Sequence, residues 1–419
     1  MEIIGVYVIY IIMAFAVIGA LAAIRNEEQG LGKEFMEGLY SIGPIFIPVA
    51  ATLAAIPYLA QFIKIVFGPI FIALGADPAM AATTFISGDM GGYQLADVLA
   101  SSRESWIMAM INGYLLGPNI VFTIPVALAM LQKRDHKYLA LGIMSGILTV
   151  PIGVLVTTSI LAVMHTKVRD VISTNAEPTY QLTYSAGMIF SNLLPLVMIA
   201  VFLALGLRFA PNLMIKGFMW FGKFMDAALK LVLVFSIVEY FTGAFTALFG
   251  SWGFDPIIAD KEDQFRGLEI AGYIGIMLAG AFPMVYAIQK YFARPLESLG
   301  KKIGLSSVGS AGIIATTANP LILLKIIKDM PAKDKVLTIS YTVCGGWLIG
   351  DSLAYSANFQ PTMIVPIMIG KMIGAIIAIV LAYWISVPKA LELEEIDRQS
   401  DVIEKNVIVA DQNQLQATH

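Results

Sequence analysis

Two carboxylates stand where an apolar chain has no ordinary use for them. Asp89 lies in G-A-D-P-A-M-A-A-T-T-F-I-S-G-D-M-G-G-Y-Q-L-A-D (75–97), with three glycines beside it, and Asp351 follows W-L-I-G (347–350). An ionised side chain at the bilayer centre costs about 2.5–3.5 kcal/mol on insertion scales, so each needs a cation, a buried lysine or a proton. The chemistry they offer is reversible binding of a positively charged solute. For Asp351 the bland alternative is a buried pair with Lys371, in the middle of I-M-I-G-K-M-I-G (367–374).

Other residues could complete such a site. Asn319, in T-T-A-N-P (316–320), sits where the chain should turn. Its amide offers both donors and an acceptor, suited to a hydroxyl ligand or equally to capping a turn. Asn119, after Pro118, and Thr123, one turn on, have the same character. Tyr114 and Trp347 each lie four residues before a break position, so Trp347 shares a helical face with Asp351. An aromatic face beside a carboxylate suits an alkylammonium through cation–π attraction, although aromatics in membrane helices more often simply pack. Lys223, Asp226 and Lys230 follow i, i+3, i+7 spacing, which reads as a structural ion pair near the inner end of a span.

These residues need apolar elements to position them, and the composition supplies little else. Of 419 residues, 58% are hydrophobic and 14% charged, with a mean hydropathy of +0.78. That balance defines an all-α polytopic membrane protein. We place nine full transmembrane helices near 3–24, 38–61, 106–131, 139–164, 184–207, 218–250, 269–290, 336–358 and 361–386. The shorter segments 76–100 and 304–327, rich in Gly, Ser, Thr, Asn and Asp, read as two re-entrant or broken hairpins. The first span lacks a basic flank and reads as retained, not as a cleaved leader. With the N-terminus outside, eighteen Lys and Arg residues fall in inner segments and six in outer ones, which puts the C-terminus in the cytoplasm. The transporter domain then covers 1–386, and 387–419 reads as a flexible cytoplasmic tail.

A repeat organises the domain. Pro57 and Pro69 match Pro283 and Pro295, each pair twelve residues apart; Gly75 matches Gly304, and Thr83-Thr84 matches Thr316-Thr317. Then Y-L-L-G-P-N (114–119) matches W-L-I-G-D-S (347–352). The charge-derived topology inverts the second copy, so the halves, about 1–164 and 218–386, form an inverted repeat linked by the 184–207 helix. Inverted repeats with discontinuous helices meeting at the midplane are a common transporter architecture. The pairs Gly142–Gly146 and Gly370–Gly374 read as helix-packing signals.

Several function classes drop out. There is no basic stripe for nucleic acid, no phosphate loop, no nucleophile elbow and no His/Cys pair. Cys344 stands alone, and His136, His165 and His419 have no ligand spacing, so no metal, cofactor or enzymatic activity is expected.

The stretches G-D-M-G-G-Y-Q-L-A (88–96), L-G-P-N-I-V-F-T-I-P-V-A-L (116–128), K-Y-L-A-L-G-I-M-S-G-I-L-T-V-P-I-G (137–153) and G-D-S-L-A-Y-S-A (350–357) closely resemble the bacterial ethanolamine permease family, from about 38 to 386. The resemblance implies a permease of the bacterial inner membrane importing ethanolamine for ethanolamine utilisation. Ethanolamine carries one ammonium and one hydroxyl, so Asp89 or Asp351 would neutralise the first, Asn319 would meet the second, and Tyr114 or Trp347 would cover the methylenes. Where family members often carry His, Asn and Thr, this chain has Ser352, Pro320 and Asn119. A coupling proton and a homo-oligomer stay open. So do a carrier of another small organic cation, choline-like or an amino acid, and a membrane sensor or scaffold without transport.

Overall fold

A computed structural model describes residues 2–399 and is helical almost throughout. The helices are α1 Glu2–Arg25, α2 Gly30–Tyr40, α3 Ile42–Ala54, α4 Ile56–Val66, α5 Gly68–Ala73, α6 Pro78–Phe85, α7 Gly92–Leu99, α8 Arg103–Leu115, α9 Ile124–Met130, α10 His136–Ile147, α11 Val150–Val163, α12 Ala186–Phe209, α13 Pro211–Thr242, α14 Ala244–Phe249, α15 Gly267–Lys302, α16 Ser307–Ala318, α17 Pro320–Ile326, α18 Ala332–Gly345, α19 Asp351–Phe359 and α20 Ile364–Ile385. One two-residue antiparallel pair, Lys167–Val168 with Tyr180–Gln181, interrupts them among the described residues.

The chain is an all-α polytopic membrane protein. Seven of its described helical runs are long and apolar enough to cross a membrane by length and composition. Sequence reading expects nine. The other two are present as helices but fail for physical reasons: α13 carries Lys216, Lys223, Asp226 and Lys230, and the 336–358 span is cut in two between α18 and α19. Residues 387–399, expected to begin the flexible tail, are helical, and Asp397 accepts from Lys137 at 2.5 Å. The rest of that segment, 400–419, lies outside the described residues.

Small residues set the closest helix approaches. A Cβ on Gly38 would sit 2.5 Å from the Ala279 backbone, so α2 and α15 touch backbone to backbone. Gly142 and Gly146 do the same for α10 against Ile339 and Val343 of α18, and Gly370 for α20 against Thr157 of α11. Pro57 and Pro69 begin α4 and α5, whereas Pro283 and Pro295 lie inside the continuous α15. The matched prolines therefore break the chain in one case and are absorbed in the other.

Both expected hairpins form, and their bases are built alike. Gly75 and Gly304 have left-handed φ of +77° and +75°, and a cap follows two residues later. Asp77 accepts from Ala79 N at 2.9 Å, and also from Ser101 N and Oγ, clamping the first hairpin shut. Ser306 caps Gly309 N at 3.1 Å, and Asp334 of α18 accepts from Ser306 N at 2.8 Å. The tips differ. The first spans Ile86–Gly91 with a 3-10 turn at Gly88–Met90, and the second turns through Asn319 alone.

Two interruptions follow the hairpins, and each strands backbone carbonyls in apolar surroundings. Pro118 has no N–H, so the Tyr114 carbonyl loses its helical donor. The Lys371 ammonium donates to it instead, at 2.7 Å. Asn119 Nδ2 takes the next carbonyl, Leu115, at 2.7 Å, and the helix resumes through a π turn at Asn119–Thr123. The second break is a true unwinding. Trp347 adopts φ +58°, and the N–H groups of Trp347 and Ile349 donate to Thr316 O (3.2 Å) and Thr317 O (2.9 Å) beside the second hairpin tip. That leaves the Val343 carbonyl, and Asn119 Nδ2 donates to it as well, at 2.8 Å.

Two stability predictions follow. Asn119→Ala unpairs two buried carbonyls and should destabilise the protein by about 1–3 kcal/mol, read as a lower melting temperature in detergent. Gly38→Ala should destabilise by about 1–3 kcal/mol through overpacking. The same change at Gly43, where a Cβ meets nothing within 4 Å, should be within about 0.5 kcal/mol of neutral.

Candidate functional site

The two tips and the second break converge on one cavity of about 890 Å³. Its apex is formed by Asp89 and Met90 from the first tip, Asn319 from the second, and Trp347 and Asp351 from the unwound stretch. The walls come from α2 and α3 (Glu37, Tyr40, Pro44), from the π turn and α9 (Phe122, Pro125), from α13 and from α15 (Ile274, Phe282). Exposure falls from 63% at Tyr40 to 9% at Asp89, so the cavity narrows from an open mouth to a sequestered end. Pockets of about 300–1,000 Å³ hold drug-sized ligands, so this volume is an approach route as well as a site.

Part of the lining lies toward one face of the protein. Glu37 stands seven residues into α2, which starts just after the Arg25 end of α1, and Ala129 precedes the Lys133 turn. The mouth therefore lies toward the face carrying Arg25 and Lys133. Above the apex the opposite side is packed shut. Tyr93 stacks on Trp106 with centroids 4.5 Å apart, Tyr355 lies 4.7 Å from Phe359, and all four side chains are fully buried. Gln94 Nε2 donates to Tyr355 Oη (2.7 Å), and Gln360 Nε2 to Tyr93 Oη (2.9 Å), which pins this layer.

The two carboxylates are held differently. Asp89 accepts from Ser87 Oγ and sits in the 3-10 turn, where backbone N–H groups also reach its carboxylate. Asp351 heads α19, and its carboxylate has no hydrogen-bond or ion-pair partner among the described residues. The N-terminus of a helix favours an anion there without supplying one specific donor. Asn319 Oδ1 accepts from Leu321 N at 2.8 Å, capping α17, so its NH₂ group is left as a donor facing the cavity. Both expected roles of Asn319, turn cap and exposed amide, are thus compatible in one geometry. Trp347 faces Phe122 across the apex with centroids 6.1 Å apart.

Three of the seven expected substrate contacts lie elsewhere. Tyr114 is 1% exposed, packs edge-on against Tyr355, and is absent from the cavity wall. Asn119 and Thr123 line a separate, very small pocket beside Pro320 and Thr342, and the Asn119 amide is consumed by the two stranded carbonyls. Their spacing from the break was legible, but which side of the helix it would present was not.

The ion-pair candidates also resolve. Lys371 makes no ion pair with Asp351 among the described residues; it binds Tyr114 O and, at 3.3 Å, Ser352 Oγ. Lys230 pairs with Asp226 at 2.7 Å, while Lys223 makes no such pair. All three line the cavity. They sit about 18–29 Å along α13 at 1.5 Å per residue, near the middle of that helix and not at its end, because α13 starts at Pro211. Sequence reading missed Glu37, Phe122 and Ser87. The signal for Glu37 was present, as a carboxylate one residue ahead of a small-residue contact, Gly38.

The family model described as "Ethanolamine utilisation protein, EutH" matches residues 4–385. The chain is 36% identical over 380 residues to the "Probable ethanolamine permease EutH" of Listeria monocytogenes serotype 1/2a, covering 90% of this chain and 93% of that one. It is 34% identical over 406 residues to the "Probable ethanolamine permease EutH" of Escherichia coli K12, covering 91% and 95%. An uncharacterised protein of Bacillus subtilis, YxeR, is 32% identical over 380 residues, covering 90% and 94%. No solved structure matches the chain. A match over nearly the whole membrane domain, with relatives aligned along nine-tenths of both chains, places this multi-pass membrane protein in the EutH ethanolamine utilisation family.

Proposed function

We propose that the protein carries protonated ethanolamine across the bacterial inner membrane, inward, by alternating access. The observation that carries this reading is the apex of the cavity. An unpartnered carboxylate, Asp351, and a free amide donor, Asn319, share one sequestered end with Asp89. A primary ammonium supplies the donors that Asp351 lacks. The Asn319 NH₂ donates to the hydroxyl oxygen. Trp347 covers the two methylenes and adds cation–π attraction. The relatives named as probable ethanolamine permeases support the same substrate.

The charge bias of the sequence puts the Arg25 and Lys133 face in the cytoplasm, so the open mouth corresponds to an inward-facing form. In that form the layer of Tyr93, Trp106, Tyr355 and Phe359 is the closed outer barrier. The paired hairpins and breaks act as the two halves of an inverted repeat around the site. A second cation reading draws on the Trp347–Phe122 pair, which would also cover a choline-like headgroup.

Uptake of labelled ethanolamine into liposomes at acidic pH, where little neutral amine leaks, tests this. Asp351→Asn should lower kcat/KM about tenfold or more, since a charge-assisted hydrogen bond contributes about 1.5–3 kcal/mol. Asn319→Leu should raise KM for ethanolamine while leaving ethylamine, which has no hydroxyl, little changed. Wild-type rates in Asp89→Asn, Asp351→Asn and the double variant would sink the ammonium site. Choline competing better than ethanolamine would favour the second reading. Binding without movement under imposed pH, Na⁺ or voltage gradients would favour a sensor.

A further inference from the structure

The side chain with the least obvious reason to exist is Lys371. It is 1% exposed, lies about two turns into α20, and does not line the cavity. Its two hydrogen-bond partners, Tyr114 O and Ser352 Oγ, are neutral. Those bonds use two of its three donors and bring no opposite charge, and an isolated ammonium deep in a low-dielectric interior carries a penalty of several kcal/mol. A leucine or methionine would fill the same space without it. Tyr114 O needs a donor because of Pro118, yet an uncharged donor would serve, as the Asn119 amide does for Leu115 and Val343.

What Lys371 supplies beyond a hydrogen bond is one positive charge at fixed position. Its two anchors set that charge beside both apex acids: Ser352 follows Asp351, and Tyr114 follows Gly113, whose carbonyl lies 3.3 Å from the Ser87 hydroxyl that binds Asp89. Held on Tyr114 O, the ammonium makes no hydrogen bond or ion pair with either of them among the described residues. Two carboxylates and one buried ammonium leave the empty apex with a formal charge of −1, and a singly charged cation neutralises it. Without the lysine the same two acids would suit a doubly charged guest.

We propose that Lys371 is the specificity-determining counter-charge of this site, which makes it a receptor for one monovalent amine and not for a diamine or a divalent metal. This inference rests on the reading of Asp89 and Asp351 as the ammonium site. Lys371 touches no substrate; it acts through the charge it sets, as a positioning residue.

The test compares Lys371→Met with Lys371→Met/Asp351→Asn and Lys371→Met/Asp89→Asn. Thermal melting of the full chain in detergent without any amine is read first. The single variant should melt lower than wild type, and at least one of the double variants should recover part of that loss. Uptake comes second. Each acid-to-amide variant has an apex charge of zero with Lys371 present and −1 without it. A double variant should therefore take up labelled ethanolamine about threefold or more faster than either of its parent single variants. In Lys371→Met itself, ethylenediamine at acidic pH should gain about tenfold in potency as a competitor relative to ethanolamine. Double variants that melt no higher than Lys371→Met, and show no mutual rescue, overturn the proposal. Wild-type protein that moves no amine, while the double variants still recover melting temperature, supports the charge balance and overturns the carrier reading.

Discussion

A backbone carbonyl with no donor in an apolar interior is the constraint on which the rest of this structure depends. The chain interrupts its helices at the cavity apex, beside Asp89, Asn319 and Asp351. Every interruption strands carbonyls that water cannot reach. Here Pro118 removes a donor from the first break and the unwinding at Gly346–Gly350 removes more from the second. Two side chains repair both sites. The Asn119 amide bridges Leu115 of one break and Val343 of the other, so the two interruptions are held against each other by a single residue. Lys371 caps Tyr114 from a third helix. The polar residues that look most like ligands in the sequence are, in these two cases, the mortar of the site.

With the breaks secured, the Asp351 carboxylate and the Asn319 NH₂ group are left free at the cavity apex. The second hairpin tip accepts hydrogen bonds from the unwound stretch at Trp347 and Ile349, and this holds a bulky residue in left-handed backbone geometry. Such conformations cost about 1–3 kcal/mol and persist only where the surroundings impose them. The result is an indole at the apex of the cavity, in the unwound stretch before the unpartnered Asp351 and not on a shared helical face as its spacing suggested. The Asp89 carboxylate is already solvated by Ser87 and its own turn, so the two acids are unequal by construction. One is hydrogen-bonded by the protein, and the other has no such partner among the described residues.

Access to that apex is asymmetric. Toward Arg25 the wall carries Glu37, with Lys223, Asp226 and Lys230 lining it midway along α13; toward Arg169 the path is filled by aromatic rings tied through Gln94 and Gln360. The barrier is made of side chains from α7, α8 and α19, which belong to the same hairpin and break elements that carry Asp89 and Asp351. Any tilt of those elements that loosened the aromatic layer would also move the acids.

The sequence by itself determined the class of protein, the position of both hairpins, the two breaks and the residues worth suspecting. These are local properties: apolar length, glycine and proline at turns, and charge where hydrocarbon should exclude it. It also marked Gly75 and Gly304, whose matching left-handed conformations need no tertiary context to predict a turn. Only the tertiary structure decided which suspects share a cavity. Asp89, Asp351, Asn319 and Trp347 converge because distant elements pack together, through approaches as close as Gly38 against Ala279. Tyr114, Asn119 and Thr123 do not join them, because side-chain direction at a proline-broken turn depends on which orphan carbonyls lie nearby. The missing Lys371–Asp351 contact has the same cause. Adjacency in sequence suggested a pair, but the strongest nearby demand on the ammonium was a carbonyl 257 residues away in the chain.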